Sequence, residues 1–199
     1  MKRIGFFLCV LLLSTMPLSA QTVSPDKIKA DILQFSTKVS SIDCDFVQTK
    51  ESSLLASAAV SKGHMSYRKP GYLQWVYTEP NSLALVADGS SITLTKDGQT
   101  TTLSGNQNRL LKEMSQMIIG NIEGSILSDE KMFKAQYEVA DGRIVVTLFP
   151  QKKDIQKMWS KLVLYYEQKS FNATKFEMYE TSGDLTVVSF SNIKYDVSE

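Results

Sequence analysis

The feature that most constrains the fold of this chain is a series of short segments in which apolar and polar residues alternate with a period of two. Such alternation is typical of strands that bury one face of a sheet. Asp88-Gly89 and Asp97-Gly98 mark tight hairpin turns, and strands joined this closely must run antiparallel. The predicted strands are residues 43–51, 62–69, 71–77, 83–87, 91–95, 100–103, 133–140, 143–149, 159–167, 174–180 and 185–195.

Two amphipathic helices are predicted beside the strands. Ser24 can cap the first helix, and Pro25 suits its first turn. Apolar residues at steps of three and four form its core-facing stripe: Ile28, Ile32, Phe35, Val39 and Ile42. The second helix covers residues 106–119, and Gly120 suits its C-terminal end. Its apolar stripe consists of Leu110, Leu111, Met114, Met117 and Ile118. A further short turn of helix is predicted within residues 121–127.

These elements predict one α+β domain with about eleven antiparallel strands and two or three helices. So many strands in one sheet curl strongly. A curled sheet that does not close has a concave face that must be filled, and the two apolar helices are the segments available for this. We therefore expect a strongly curved antiparallel sheet with helices covering its concave apolar face.

Residues 1–20 have the pattern of a secretory signal peptide. Lys2-Arg3 precede an apolar run over residues 4–13, and small residues lead to a predicted cleavage after Ala20. The run is too short for a stable membrane span, although an uncleaved anchor remains the alternative. Cys9 lies inside the apolar run without a lipobox before it, so a lipid anchor is not expected. The predicted domain covers residues 21–199, exported and then free.

Charge and cysteine content limit which partners and which disulfide bonds the chain can have. Without residues 1–20 the chain carries 20 cationic and 21 anionic side chains, and this balance argues against nucleic acid as a partner. Cys44 is then the one remaining cysteine, so no disulfide can form within the chain.

Few residues offer catalytic chemistry. The single histidine, His64, has no nucleophile motif to serve, and the acids beside Cys44 oppose thiolate formation. One histidine and one cysteine cannot build the usual zinc shells, and Asp43-x-Asp45 lacks the other oxygens of a calcium loop. No catalytic residue, metal or cofactor is predicted. A basic segment could contact an anionic membrane or acidic partner, or be a solvated loop; it contains Lys152, Lys153, Lys157 and Lys161.

Several short motifs in a fixed order resemble the LolA family, the periplasmic carriers of outer-membrane lipoproteins in Gram-negative bacteria. They include Phe46-Val47-Gln48 after the first helix, Gly63 at the next strand, and Lys69-Pro70 followed by Leu73 and Trp75. The remaining ones are Tyr77, Pro80, Asp88-Gly89, Leu148-x-Pro150, Gly183-Asp184, Phe190 and Asn192.

This resemblance implies an unclosed antiparallel barrel whose helices cover an apolar cavity, without catalysis or cofactor. It implies a monomer in the periplasm of a Gram-negative bacterium. Its partners would be acylated lipoproteins, an inner-membrane ABC-type transporter that releases them, and, where one exists, an outer-membrane lipoprotein receptor. Two alternatives stay open: an envelope sensor or interaction domain of the same fold, and a carrier of another lipid. An esterase acting on lipid is disfavoured by the histidine count.

A carrier of acyl chains needs an adaptable apolar cavity, and methionine and aromatic residues suit its walls. Ordinary core packing is the alternative explanation for each of them. The predicted lining residues are Met65, Tyr67, Leu73, Trp75, Tyr77, Leu110, Met114, Met117 and Ile118.

Two adjacent cations are the predicted residues of the cavity rim, where they could hold the covering helices closed. In the family an arginine directly before the proline hydrogen-bonds backbone carbonyls of the covering helices. Lys69 stands at that place here, and Arg68 precedes it. Strand alternation groups Lys69 with Met65 and Tyr67, so Lys69 is expected to share the apolar face. Lysine offers a point charge and not a planar fork, which makes a looser contact.

Overall fold

The computed structural model describes residues 24–89, 91–102 and 115–197. Helix α1 spans Pro25–Lys38, and the Ser24 side chain accepts a hydrogen bond from the Lys27 backbone N–H at 3.3 Å. The predicted helix start is thus observed, but the predicted stripe runs too far. Val39 is already extended and pairs with Val197, because pairing with the last strand draws this segment into the sheet.

The described residues form one sheet of eleven antiparallel strands, which confirms the predicted fold class. The strands are β1 (Val39–Glu51), β2 (Ala59–Arg68), β3 (Tyr72–Glu79), β4 (Leu83–Ala87), β5 (Ile92–Lys96), β6 (Gln99–Thr102), β7 (Phe133–Ala140), β8 (Arg143–Pro150), β9 (Trp159–Glu167), β10 (Ala173–Glu180) and β11 (Leu185–Val197). Their order is β6-β5-β4-β3-β2-β1-β11-β10-β9-β8-β7. Strands β6 and β7 are the two edges and do not pair with each other, so the barrel is unclosed.

Three further helices lie in the described residues. Helix α2 covers residues 115–122, α3 covers Ser125–Ser128, and α4 covers Lys153–Gln156. Residues 106–114 of the predicted second helix lie outside the described residues. Gly120 was wrongly predicted to end that helix, since it lies inside α2. The break comes at Gly124, whose φ of +75° is a backbone conformation that glycine adopts without strain.

The buried apolar side chains form two groups on the helix-covered side of the sheet. The first joins α1, α2 and α3 to strands β7–β10 and includes Ile32 and Phe133. The second is built by β1–β5 and β11 and includes Phe46 and Leu73. In the described part of the chain, no helix is long and apolar enough to cross a membrane.

Strand β2 pairs with β1 and β3, and its pairing with β3 is irregular near Gly63. The pairing of β2 with β3 shifts register between Lys62 and Gly63. A Cβ placed on Gly63 would overlap the Val76 carbonyl oxygen and the Phe46 ring. Glycine therefore lets the Phe46 ring lie directly against the backbone of the curved sheet.

Candidate functional site

An apolar cavity lies between α2 and the concave face of the sheet. It consists of two adjoining spaces of about 170 and 40 Å³, which share Trp75, Met117, Ile118 and Phe176 as walls. We call α2 the covering helix, because Met117 and Ile118 face both spaces. The larger space is also lined by Gln48, Leu73, Tyr77, Leu83, Leu85, Leu94, Ser115, Met178 and Val188. The smaller is also lined by Ile42, Cys44, Met65, Asn121, Ile122, Ala173, Phe190, Ile193 and Tyr195.

One row of side chains crosses five strands to form the continuous wall of the cavity. The row consists of Cys44, Met65, Trp75, Leu85 and Leu94, which pair in register from β1 to β5. Each of the five lines one or both spaces. Residues directly opposite one another on paired strands point to the same face of the sheet. Once one residue of the row points into the cavity, its register partners therefore point there too.

Aromatic contacts stiffen this wall at its centre. The Phe46 and Trp75 ring centroids lie 4.3 Å apart, and Tyr77 meets Phe46 edge-on at 5.3 Å. Phe190 meets Trp75 edge-on at 6.3 Å, from across the β1–β11 pairing. These contacts fix the aromatic rings of the wall relative to one another.

The few polar groups of the wall remain neutral. The Tyr77 hydroxyl donates to Gln48 Oε1 at 3.0 Å. Burial raises the pKa of Tyr77, against a smaller lowering by the nearby Trp75 and Gln48 side chains. Burial, with the charges of Asp45 and Asp43, raises the pKa of the Cys44 thiol to about 12. The thiol is thus protonated at neutral pH and unsuited to nucleophilic chemistry.

Two tyrosines fasten the C-terminal end of the covering helix to the sheet. The Tyr67 hydroxyl of β2 donates to Glu123 Oε1 at 2.6 Å, and the Tyr166 hydroxyl of β9 donates to Asn121 Oδ1 at 2.5 Å. Burial raises the pKa of both tyrosines, which keeps the hydroxyls protonated as donors. Sequence reasoning missed this pair of contacts. The available signal was a tyrosine at an inward strand position, whose polar tip requires a partner.

The two adjacent cations make different contacts. Lys69 Nζ donates to the Thr37 backbone carbonyl at 3.1 Å, in the last turn of α1. The Thr37 carbonyl lies at the C-terminal end of α1. Carbonyls there lack hydrogen-bond partners within the helix, and a positive charge is favourable beside them. Arg68 instead lies 3.7 Å from Asp43 Oδ2, measured from Nη2.

The other residues predicted from the sequence also have definite places. Met65, Leu73, Trp75, Tyr77, Met117 and Ile118 lie on the cavity walls. Tyr67 is fully buried beside the cavity and makes the contact with Glu123 described above. Leu110 and Met114 lie outside the described residues.

The titratable side chains at positions 43, 45 and 64 lie away from the cavity. His64 Nδ1 is 3.0 Å from Asp45 Oδ1, and Asn192 donates to Asp45 Oδ2 at 2.7 Å. These two hydrogen bonds, that of Asn192 first, hold the pKa of Asp45 below its ordinary value. Within the described residues, no group of three histidine, cysteine or acidic side chains could hold a metal ion.

A rolled antiparallel sheet with a helix over an apolar cavity defines a class of protein, the unclosed β-barrel with a covered apolar interior. The sequence model of one protein family matches residues 37–198. That family is described as "Outer membrane lipoprotein carrier protein LolA". The chain therefore belongs to the LolA family.

Individual relatives are distant. An outer-membrane lipoprotein carrier protein of Neisseria meningitidis serogroup C is 23% identical over 192 residues, which cover 94% of this chain and 84% of the relative. The Neisseria gonorrhoeae protein of the same description has the same identity and coverage. An uncharacterized conserved protein from Thermus thermophilus has a similar solved structure. Its TM-score is 0.51 at 5% identity, over 88% of this chain and 90% of that one, and this likeness concerns the fold alone.

Proposed function

We propose that this protein is a non-enzymatic carrier that binds the acyl chains of lipoproteins in its apolar cavity and takes them from the inner to the outer membrane. It would act in the periplasm of a Gram-negative bacterium, after residues 1–20 have been removed as a signal peptide. The observation that carries the proposal is the apolar cavity between the covering helix and the sheet. Membership of the LolA family supports it.

The energetics of an acyl chain in water explain the need for a covered cavity. Each methylene removed from water contributes about 0.8 kcal/mol, so a chain of about fourteen methylenes gains roughly 11 kcal/mol on burial. The larger space, about 170 Å³, is close to the ~150 Å³ apolar cavity that holds one benzene molecule in another protein. An acyl chain is much larger than benzene. Cargo would therefore enter only when the covering helix moves away from the sheet.

The polar contacts around the cavity are weak enough to be broken by cargo. Two hydrogen bonds, from Tyr67 and Tyr166, hold the covering helix, and a third, from Lys69, holds the end of α1. Such bonds contribute roughly 0.5–3 kcal/mol each, and the exposed Lys69 contact belongs at the lower end. Their sum is smaller than the gain from burying one long acyl chain. Binding would thus open the cavity, and release would close it again.

The proposed partners are those that membership of the LolA family implies. An inner-membrane ABC-type transporter would deliver the lipoprotein to the open cavity. An outer-membrane lipoprotein receptor would accept it, where the organism has one. We propose that the carrier works as a monomer, with Lys69 in place of the family's arginine as the residue that holds α1 in the closed state.

The decisive test is to purify the protein without residues 1–20 from its native cells and to identify co-purifying acylated material by mass spectrometry. Triacylated peptides would support the proposal. Free lipid alone would show that the protein carries another lipid. If the purified protein neither brings down acylated material nor binds an apolar fluorescent probe, the carrier function is refuted.

A further inference from the structure

The indole N–H of Trp75 is an unusual group to find in the wall of an apolar cavity. Trp75 is only 7% exposed, and it lines both spaces. Its Nε1 atom is buried and has no hydrogen-bond partner among the described residues. A buried donor without an acceptor is unfavourable, so groups of this kind are rare in folded proteins.

The surroundings of Trp75 offer one nearby acceptor, the Tyr77 hydroxyl, which is poorly placed for the indole N–H. The ring is held by Phe46 on one side and Phe190 on another, neither of which can accept a conventional hydrogen bond. Tyr77 is a polar neighbour, with ring centroids 6.5 Å apart. Its hydroxyl donates to Gln48 and keeps lone pairs that could accept. The indole is near enough to lower the pKa of Tyr77, but the N–H and the hydroxyl oxygen do not meet at hydrogen-bond distance and angle. Within the part of the chain that the structure describes, the donor is therefore fixed in place by its aromatic contacts and still unpaired.

A ligand that satisfies this donor must carry an acceptor within an otherwise apolar body. An acyl chain has such an acceptor by definition, the carbonyl oxygen through which it is attached as an ester or amide. An alkyl chain attached through an ether oxygen presents a weaker acceptor and no carbonyl. The wall row on either side of Trp75, with Met65 and Leu85 as its register neighbours, is apolar and suits the hydrocarbon part.

We propose that the Trp75 indole N–H donates a hydrogen bond to the ester or amide carbonyl of a bound acyl chain, and that the protein thereby selects acyl over alkyl chains. This selection deepens the carrier function proposed above and rests on it. The carbonyl pairs the indole N–H, and the hydrocarbon beyond the carbonyl contacts the apolar wall.

Two detergents of matched size test the selection. Sucrose monolaurate carries a dodecanoyl chain with an ester carbonyl, whereas dodecyl maltoside joins a dodecyl chain to a similar disaccharide through a glycosidic oxygen, without a carbonyl. Each is titrated below its critical micelle concentration into the protein lacking residues 1–20, labelled with ¹⁵N at its two tryptophans. The Trp159→Phe variant assigns the two indole signals. Displacement of an apolar fluorescent probe gives the affinities.

We expect the ester to move the Trp75 indole proton signal downfield, as a new hydrogen bond does, and the alkyl maltoside to leave it nearly unmoved. Trp75→Phe removes apolar contact for both ligands, and it should weaken ester binding roughly three- to tenfold more than alkyl binding, the equivalent of one net hydrogen bond. Trp159→Phe, a buried tryptophan of the other apolar group, is the matched control and should affect both ligands equally.

Four results would overturn the inference. The first is an equal response of the Trp75 signal to both detergents. The second is an indole proton that is already downfield in the free protein and does not respond to the ester, because a water or Tyr77 then occupies the donor. The third is that neither detergent displaces the probe, in which case the carrier function itself fails and the inference falls with it. Binding of both detergents without selectivity would refute the inference and leave the carrier function standing.

Discussion

The Tyr67 hydroxyl offers the sharpest test of how the cavity is closed. Tyr67→Phe removes the donor to Glu123 and keeps the buried ring. A hydrogen bond to a carboxylate contributes about 1.5–3 kcal/mol. Since Glu123 is partly exposed and can turn towards water, we expect the closed state to lose about 1.5–2 kcal/mol. The open population should then rise roughly ten- to thirtyfold.

Tyr137 provides a matched control for this substitution. Its hydroxyl is also buried, but it has no hydrogen-bond partner among the residues that the structure describes. Tyr137→Phe should therefore leave the free energy of unfolding unchanged or raise it by up to about 1 kcal/mol. Both substitutions remove a buried hydroxyl group from a tyrosine ring, and Tyr67→Phe also breaks a hydrogen bond.

The assay has two readouts. Urea unfolding gives the change in the free energy of unfolding, and stopped-flow uptake of an apolar fluorescent probe reports how often the cavity opens. We expect Tyr67→Phe to lower stability and speed uptake, and Tyr137→Phe to do neither. If both variants behave alike, or if Tyr67→Phe destabilises without faster uptake, the covering helix is not held closed by this hydrogen bond.

Four further outcomes are expected. Lys69→Leu should change the rate of cargo transfer between membranes more than Arg68→Leu does, because Lys69 bonds to α1 whereas Arg68 lies beside Asp43; the opposite ranking would refute the assignment of Lys69 to the closed state. Cys44 should react with iodoacetamide at pH 8 on the order of a thousandfold more slowly than a free thiol, since its pKa is raised to about 12. Stability should also fall as the pH rises from 9 towards 12, because the unfolded thiol loses its proton in that range and the folded one keeps it; a Cys44→Ala variant with the same pH profile would contradict this. Gly63→Ala should cost about 1–3 kcal/mol or more in urea unfolding, because the added methyl group overlaps the Val76 carbonyl; a neutral result would show that the strands can separate there.

The cavity-facing side of β3 could be predicted from the sequence, because the pattern that indicates it lies within one short segment. Leu73, Trp75 and Tyr77 alternate with more polar residues, and a strand with one buried face requires this. Helix α1 shows the limit of such reasoning. Its apolar steps continue through Val39, but pairing with β11, far away in the chain, turns that residue into the start of a strand.

The contacts that close the cavity were beyond prediction for a related reason. Tyr67 and Glu123 are 56 residues apart, and Tyr166 and Asn121 are 45 apart. Each residue alone is unremarkable in the sequence. Their meeting depends on how far the sheet curls and on where the covering helix ends, and the second of these was mispredicted at Gly120. An unpaired donor such as that of Trp75 is likewise visible only when its neighbours are in place.

The pairing of β1 with β11 in the middle of the sheet has a consequence for how the protein matures. Strands β1–β6 and β7–β11 are two meanders of hairpins, in each of which strands pair with their neighbours in the sequence, and in the described sheet the β1–β11 seam joins the two. The seam closes a loop that spans the whole domain, and such distant pairings form late and slowly. Trp75 comes from one meander and Phe176 from the other, so the cavity has both walls only after the seam has formed. Until that seam has formed, the newly made chain would expose two apolar half-sheets with unpaired edges, which would make it prone to aggregate.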